Sequence, residues 1–231
     1  FYMGINEQRY GFMDEGWATA FENLIGRADM GNEKADNLFK QFRVSGWINH
    51  PDTGADIPII TPGDSMTGRA LGDNEYGKAA LGYLALKDML GDEGFKKALH
   101  TFMNNWHGKH PLPWDMFNSF NAGSGKDLNW FFNNWYFSNG YIDLGIDKVT
   151  ESPGGADVTI NNVGGFDAPV DVIATYADGT TEKFHQTPAI WQKDQKQATV
   201  RIPAKKKLTS VRLDGGIWMD ANEADNKWET K

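Results

Sequence analysis

The chain contains no cysteine. Disulfide staples and thiolate metal sites are thereby excluded, while the compartment stays open, with a periplasmic or secreted setting favoured over a cytoplasmic one. No stretch approaches the roughly 18 consecutive apolar residues that a membrane span requires. A secretory leader is also missing, but the sequence starts at Phe1 rather than methionine, so this says nothing about targeting. Positive charge is scarce: 23 Lys and Arg stand against 31 Asp and Glu, a net charge of -8. Phosphate binding needs a basic surface, so a nucleic-acid partner is not expected.

What the chain does have is core material. Its 231 residues are 40% hydrophobic and 13% aromatic, which suits one large or two ordinary domains and argues against disorder. Up to about residue 145 the patterning is helical. On a helix turning roughly 100° per residue, Trp17, Ala20, Phe21, Leu24 and Ala28 share one apolar stripe, with Glu15, Thr19 and Glu22 opposite. Ala35, Leu38, Phe39 and Phe42 follow at helical intervals. An irregular stretch at about 49–72, with Pro51, Pro58 and Pro62, has the length of a functional loop or lid. Asp73 is an expected helix N-cap, Gly91 a stop, and Asp92 the cap of a further helix through Trp106. Pro113 opens a short helix through Phe120, and Asp127 begins the last one.

From about Ile146 the period changes to two. Val170, Val172, Ala174 and Tyr176 alternate with other residues, and Asp178-Gly179 signals a hairpin before Thr180 to His185. Val158 to Ile160, Ala198 to Ile202 and Leu208 to Leu213 are further strands, and Lys205 to Lys207 reads as a charged hairpin connection. The pattern predicts an α + all-β two-domain chain divided as 1–145 and 146–231, the second part a small β-sandwich.

Two segments bear on chemistry. Asp14-Glu15-Gly16-Trp17-Ala18, with Glu22 two helical turns beyond Glu15, resembles the helix that follows the H-E-x-x-H motif in aminopeptidase N-like (gluzincin) zinc metallopeptidases. That helix supplies the third zinc ligand. Asn74-Glu75-Tyr76-Gly77-Lys78-Ala79 resembles the Y-x-K-G/A segment opening a later helix in the same family, whose tyrosine stabilises the tetrahedral oxyanion. Gly91 to Phe95, Ser124 to Leu128, Trp135 and Gly140-Tyr141 extend the likeness through the end of the catalytic helical lobe. Tyr176 to Thr180, Trp191, Leu213-Asp214, Asp220 and Asn222 resemble the immunoglobulin-like domain that follows it.

The resemblance implies Glu15 as a zinc ligand, Tyr76 as a catalytic hydrogen-bond donor and Glu22 as a carboxylate supporting the metal site or the fold. Arg69 is a substrate-cleft candidate, with a structural ion pair as its competing role. The implied fold is the helical lobe of a gluzincin catalytic domain followed by an immunoglobulin-like sandwich, and the implied cofactor is one zinc ion. The implied reaction is hydrolysis of a peptide bond by zinc-activated water. By the family's spacing, the two zinc histidines and the general-base glutamate precede Phe1. The chain is therefore expected to be an inactive fragment that binds zinc weakly, with the missing N-terminal part of the same polypeptide and a peptide substrate as partners. The family's G-x-M-E-N segment, which reads the substrate amino terminus, is absent, so aminopeptidase activity rests on the resemblance alone. A catalytically dead peptidase-like scaffold, or a binding module of a larger secreted enzyme, remain open alternatives. The binding module predicts tryptophans exposed on a flat or grooved surface.

Other constellations fail. His50, His100, His107, His110 and His185 form no H-x-x-x-H pair. Asp220, Asn222, Asp225 and Asn226 lack the glycine and terminal glutamate of a calcium loop. Gly123-Ser124-Gly125-Lys126 lacks the spacing of a phosphate loop, so no nucleotide is expected.

Overall fold

Eight helices occupy the first part of a computed structural model that describes residues 2–49, 57–203 and 206–230. They are α1 (Glu7–Tyr10), α2 (Glu15–Met30), α3 (Asn32–Phe39), α4 (Ser45–Ile48), α5 (Gly68–Gly72), α6 (Ala79–Trp106), α7 (Pro113–Ser124) and α8 (Asn129–Phe137). Two π-helical turns join them, Lys40–Val44 between α3 and α4 and Asp73–Lys78 between α5 and α6. The chain divides into two compact units, Phe1–Gly140 and Tyr141–Lys231.

Aromatic packing anchors α2 in the helical unit. The Trp17 ring stacks on Tyr83 of α6 at 3.8 Å between centroids and 9° between planes, and Phe120 of α7 lies beyond it at 5.7 Å. The Tyr83 hydroxyl, buried, donates to the Phe12 carbonyl at 3.0 Å. The inward face of α2 differs from the expected stripe. Gly16, Trp17, Thr19, Ala20 and Asn23 are buried, whereas Phe21 and Ala28 are exposed. Asn23 can go inward because its amide donates to Asp36 on α3, which also takes a two-pronged bond from Arg27.

Asp73 caps no helix. The chain is already helical from Gly68, and Asp73 lies inside the run, where it accepts from Arg69. Gly91 does break α6: its φ of 69° lies in the left-handed region, where a side chain is strained. Asp92, just after it, is bonded to Lys87. Residues 50–56 of the predicted irregular stretch lie outside the described residues. The rest of that stretch contains a 3-10 turn, Gly63–Ser65, and α5. It is pinned by Asn74, whose amide donates to the Ile57 and Pro58 carbonyls at 3.1 and 3.3 Å.

The second unit is a sandwich of two antiparallel sheets. One has the order β1 (Leu144–Ser152), β2 (Gly155–Asn162), β5 (Gln197–Pro203). The other runs β4 (Thr181–Gln186), β3 (Val170–Tyr176), β6 (Leu208–Asp214), β7 (Lys227–Glu229). Inward side chains of both sheets, among them Val158, Ile160, Val172, Val200 and Val211, form one core around the fully buried Trp191, as the alternation of β3 predicts. The Trp191 indole donates to the Ala168 carbonyl at 2.9 Å. Because β5 and β6 belong to different sheets, the segment between them is a crossover and not a hairpin. Lys206 within it binds Asp178 and Thr180 of the β3–β4 turn, at 2.6 and 2.8 Å; Lys205 lies outside the described residues.

Candidate active site

Glu15 opens α2, where the free backbone N–H groups of a first helical turn favour a carboxylate. Gly16 follows it, and a Cβ there would stand 2.7 Å from that of Ala79. Only a glycine lets the start of α2 lie this close to the start of α6, and the closeness brings Glu15 beside the π turn that carries Tyr76. A Cβ on Gly16 would also lie 3.3 Å from the backbone oxygen of Glu75, the residue before Tyr76, so Glu15 and Tyr76 are neighbours. Two residues far apart in the sequence therefore meet at one point, and both are half-buried.

Charge at that point is predominantly negative. The Tyr76 phenol is pushed above its ordinary pKa, first by its hydrogen bond to Glu15, then by burial and by the charges of Glu15 and Glu75, with Arg43 opposing. Burial, and then Glu15, raise Glu75. Burial also raises Asp14, with Glu7 and Glu15 adding to the effect. Crowded carboxylates resist ionising together, so the site is electrostatically suited to a cation.

Arg43 is the residue that sequence reasoning missed. Its guanidinium lies over the Tyr76 ring, 5.7 Å from the centroid. It is held there by Glu22, whose Oε2 accepts from Nε at 3.1 Å and from Nη2 at 2.6 Å. Glu22 is thus separated from Glu15 by two intermediates, Arg43 and Tyr76. Arg69 points to structural partners: its Nε donates to Asp73 at 3.0 Å and its Nη2 to the Trp47 carbonyl at 3.3 Å.

The donor set for a metal is incomplete. Among the described residues, no three His, Cys, Asp or Glu side chains are placed to hold a metal ion. Glu15 offers one carboxylate, which suits a share in a zinc site and does not suffice to retain the ion. His107 and His110 bond the Met103 and Gly4 carbonyls. Asp220 accepts from the backbone of Leu144 and Asn222, as a structural turn residue does. No helix among the described residues is long and apolar enough to cross a membrane.

The structure is similar to that of Legionella pneumophila aminopeptidase A, solved in complex with aspartic acid, with a TM-score of 0.63 and 17% sequence identity. The match covers 88% of this chain and 23% of that one, so this chain spans about a quarter of the enzyme it resembles. The likeness is one of fold. No protein-family model matches the sequence, and no curated protein matches it.

Proposed function

We propose that this chain is part of a zinc-dependent metallopeptidase, an aminopeptidase by its resemblance, to which it contributes Glu15 as a metal ligand and Tyr76 as the oxyanion donor. The observation that carries the reading is the close packing of Gly16, next to Glu15, against Glu75 and Ala79, which sets Glu15 beside Tyr76. A phenol with a raised pKa stays protonated at working pH. It therefore keeps a proton on its hydroxyl to share with an oxygen on which charge develops only in the transition state. Bound zinc would supply Lewis acidity toward the scissile carbonyl and toward water. The remaining ligands and the general base lie outside this chain in this reading.

The tryptophans weigh against the binding-module alternative. Trp17, Trp47, Trp135 and Trp191 are buried, four others are half-buried, and of the nine only Trp114 is exposed. A stacking platform needs several on one open surface. The peptidase reading is tested by zinc titration and by an aminoacyl-anilide assay. The 231-residue chain alone should bind zinc weakly and cleave nothing. Joined to a polypeptide carrying the two histidines and the glutamate, it should bind one zinc and cleave, with Glu15→Gln losing both properties. Metal-dependent cleavage by the chain alone would refute the proposal, and failure of the joined protein to bind zinc would favour the dead scaffold.

A further inference from the structure

We infer that Arg43, fixed by Glu22, is the positioning residue that holds the Tyr76 ring in its working orientation; this rests on the reading of Tyr76 as the oxyanion donor. A tyrosine has two side-chain torsions, and in the resting site Glu15 is the neighbour that most affects its hydroxyl. In the reaction the hydroxyl turns to a substrate oxygen instead. The ring face must then be held from another side, and Arg43 covers it with a positive charge 5.7 Å from the centroid.

Arg43 is itself anchored at both ends. Its side chain makes the two bonds to Glu22. Its backbone abuts Gly77, the residue after Tyr76, so closely that a Cβ on Gly77 would lie only 1.9 Å from the Arg43 carbonyl oxygen. Arg43 and Tyr76 each sit in a π turn, a distortion that recurs at functional sites because it redirects a side chain that the α-helical period would place elsewhere. Glu22, Arg43, Tyr76 and Glu15 thus form one relay, with Arg43 touching the donor and not the substrate. This gives Glu22 a definite role at one remove from the metal ligand. Orientation of a donor is rewarded in rate and hardly at all in substrate affinity.

The experiment uses fluorotyrosine at position 76 and fluorine NMR on the 231-residue chain, together with kinetics of the complete enzyme. Arg43→Gln should move the fluorine resonance toward the free amino acid's position, Glu22→Gln should move it in the same direction, and Arg43→Lys should restore much of it. In the complete enzyme, Arg43→Gln should lower kcat about tenfold with KM changed less than about twofold. It should have no further effect once Tyr76 is already Phe. If Arg43→Gln does not fold, the resonances of Arg43→Lys and Glu22→Gln decide. An unmoved resonance in the folded variants, or a full loss of kcat added on top of Tyr76→Phe, would overturn the inference. A moved resonance with Tyr76→Phe fully active would leave the positioning intact and sink the catalytic reading of Tyr76.

Discussion

At the scale of single residues, the roles proposed for the phenol and the carboxylate are separable. Tyr76→Phe removes one O–H and leaves Glu15 in place. In the complete enzyme kcat should therefore fall about 100-fold, while zinc content, measured by atomic absorption, stays unchanged. A parallel loss of zinc would mean that Tyr76 serves the metal site and not the reaction. Glu15 and Tyr76 could be singled out in the sequence because each sits in a short motif whose residue types and order are distinctive. Arg43 could not. Nothing in a string of letters relates residue 43 to residue 76, since their meeting depends on Gly77 allowing two backbones into contact and on two π turns that break the period used to assign faces. Phe21 and Thr19 lie on the faces opposite to those expected, for a related reason. Hydropathy ranks phenylalanine inside and threonine outside, and it cannot foresee that the Trp17–Tyr83 stack and the bond from Asn23 to Asp36 decide which face of α2 goes inward.

Among elements, the close approach of the 40–44 turn to the 73–78 turn is the most vulnerable contact. Gly77→Ala forces a methyl group onto the Arg43 carbonyl and should cost about 3 kcal/mol, or prevent folding of the helical unit. Gly91→Ala meets no neighbour, so only its positive φ matters. It should cost about 1 kcal/mol. Urea unfolding followed by tryptophan fluorescence distinguishes the two, and equal costs would contradict the packing argument. The helix break at Gly91 and the alternation of β3 were legible because backbone chemistry and period act locally. The partner of β5 was not. Ala198 to Ile202 and Leu208 to Leu213 look like two arms of a hairpin, and only the shared core around Trp191 requires them to lie in opposite sheets. β1 also left little trace, because most of its nine residues are exposed or half-buried and show no clean alternation.

For the molecule as a whole, acid stability has an unusual tilt. Burial, reinforced by the charges of Asp220 and Asp225, raises the Asp143 carboxyl to about 6. Burial raises Asp167 to about 8 against the pull of its bonds from Gln195 and Asn162. Each group binds a proton more tightly folded than unfolded, so its contribution is present at low pH and is lost as pH rises from about 4 through the folded value. Asp178 works in the opposite direction. Its carboxyl is lowered by Lys206 and Thr180, so its contribution is present above about 4 and fades only in stronger acid. Thermal unfolding of the sandwich should therefore occur at lower temperature at about pH 8 than at about pH 5, and Asp143→Asn should recover about 1 kcal/mol at the higher pH. A flat profile in the wild-type chain would count against it.

The turn at Asp73–Lys78 also fixes what lengths of chain are tolerated. A π turn accommodates one residue more than an α turn would. Deleting a single residue there would let α5 and α6 fuse into one regular helix. The flanking segments would keep their phase, but the residues inside the turn, Tyr76 among them, would be rotated by about 100°. An ordinary helix absorbs substitutions readily; this one is a counting device, in which the number of residues between Arg69 and Ala79 decides whether the phenol points at the carboxylate or away from it.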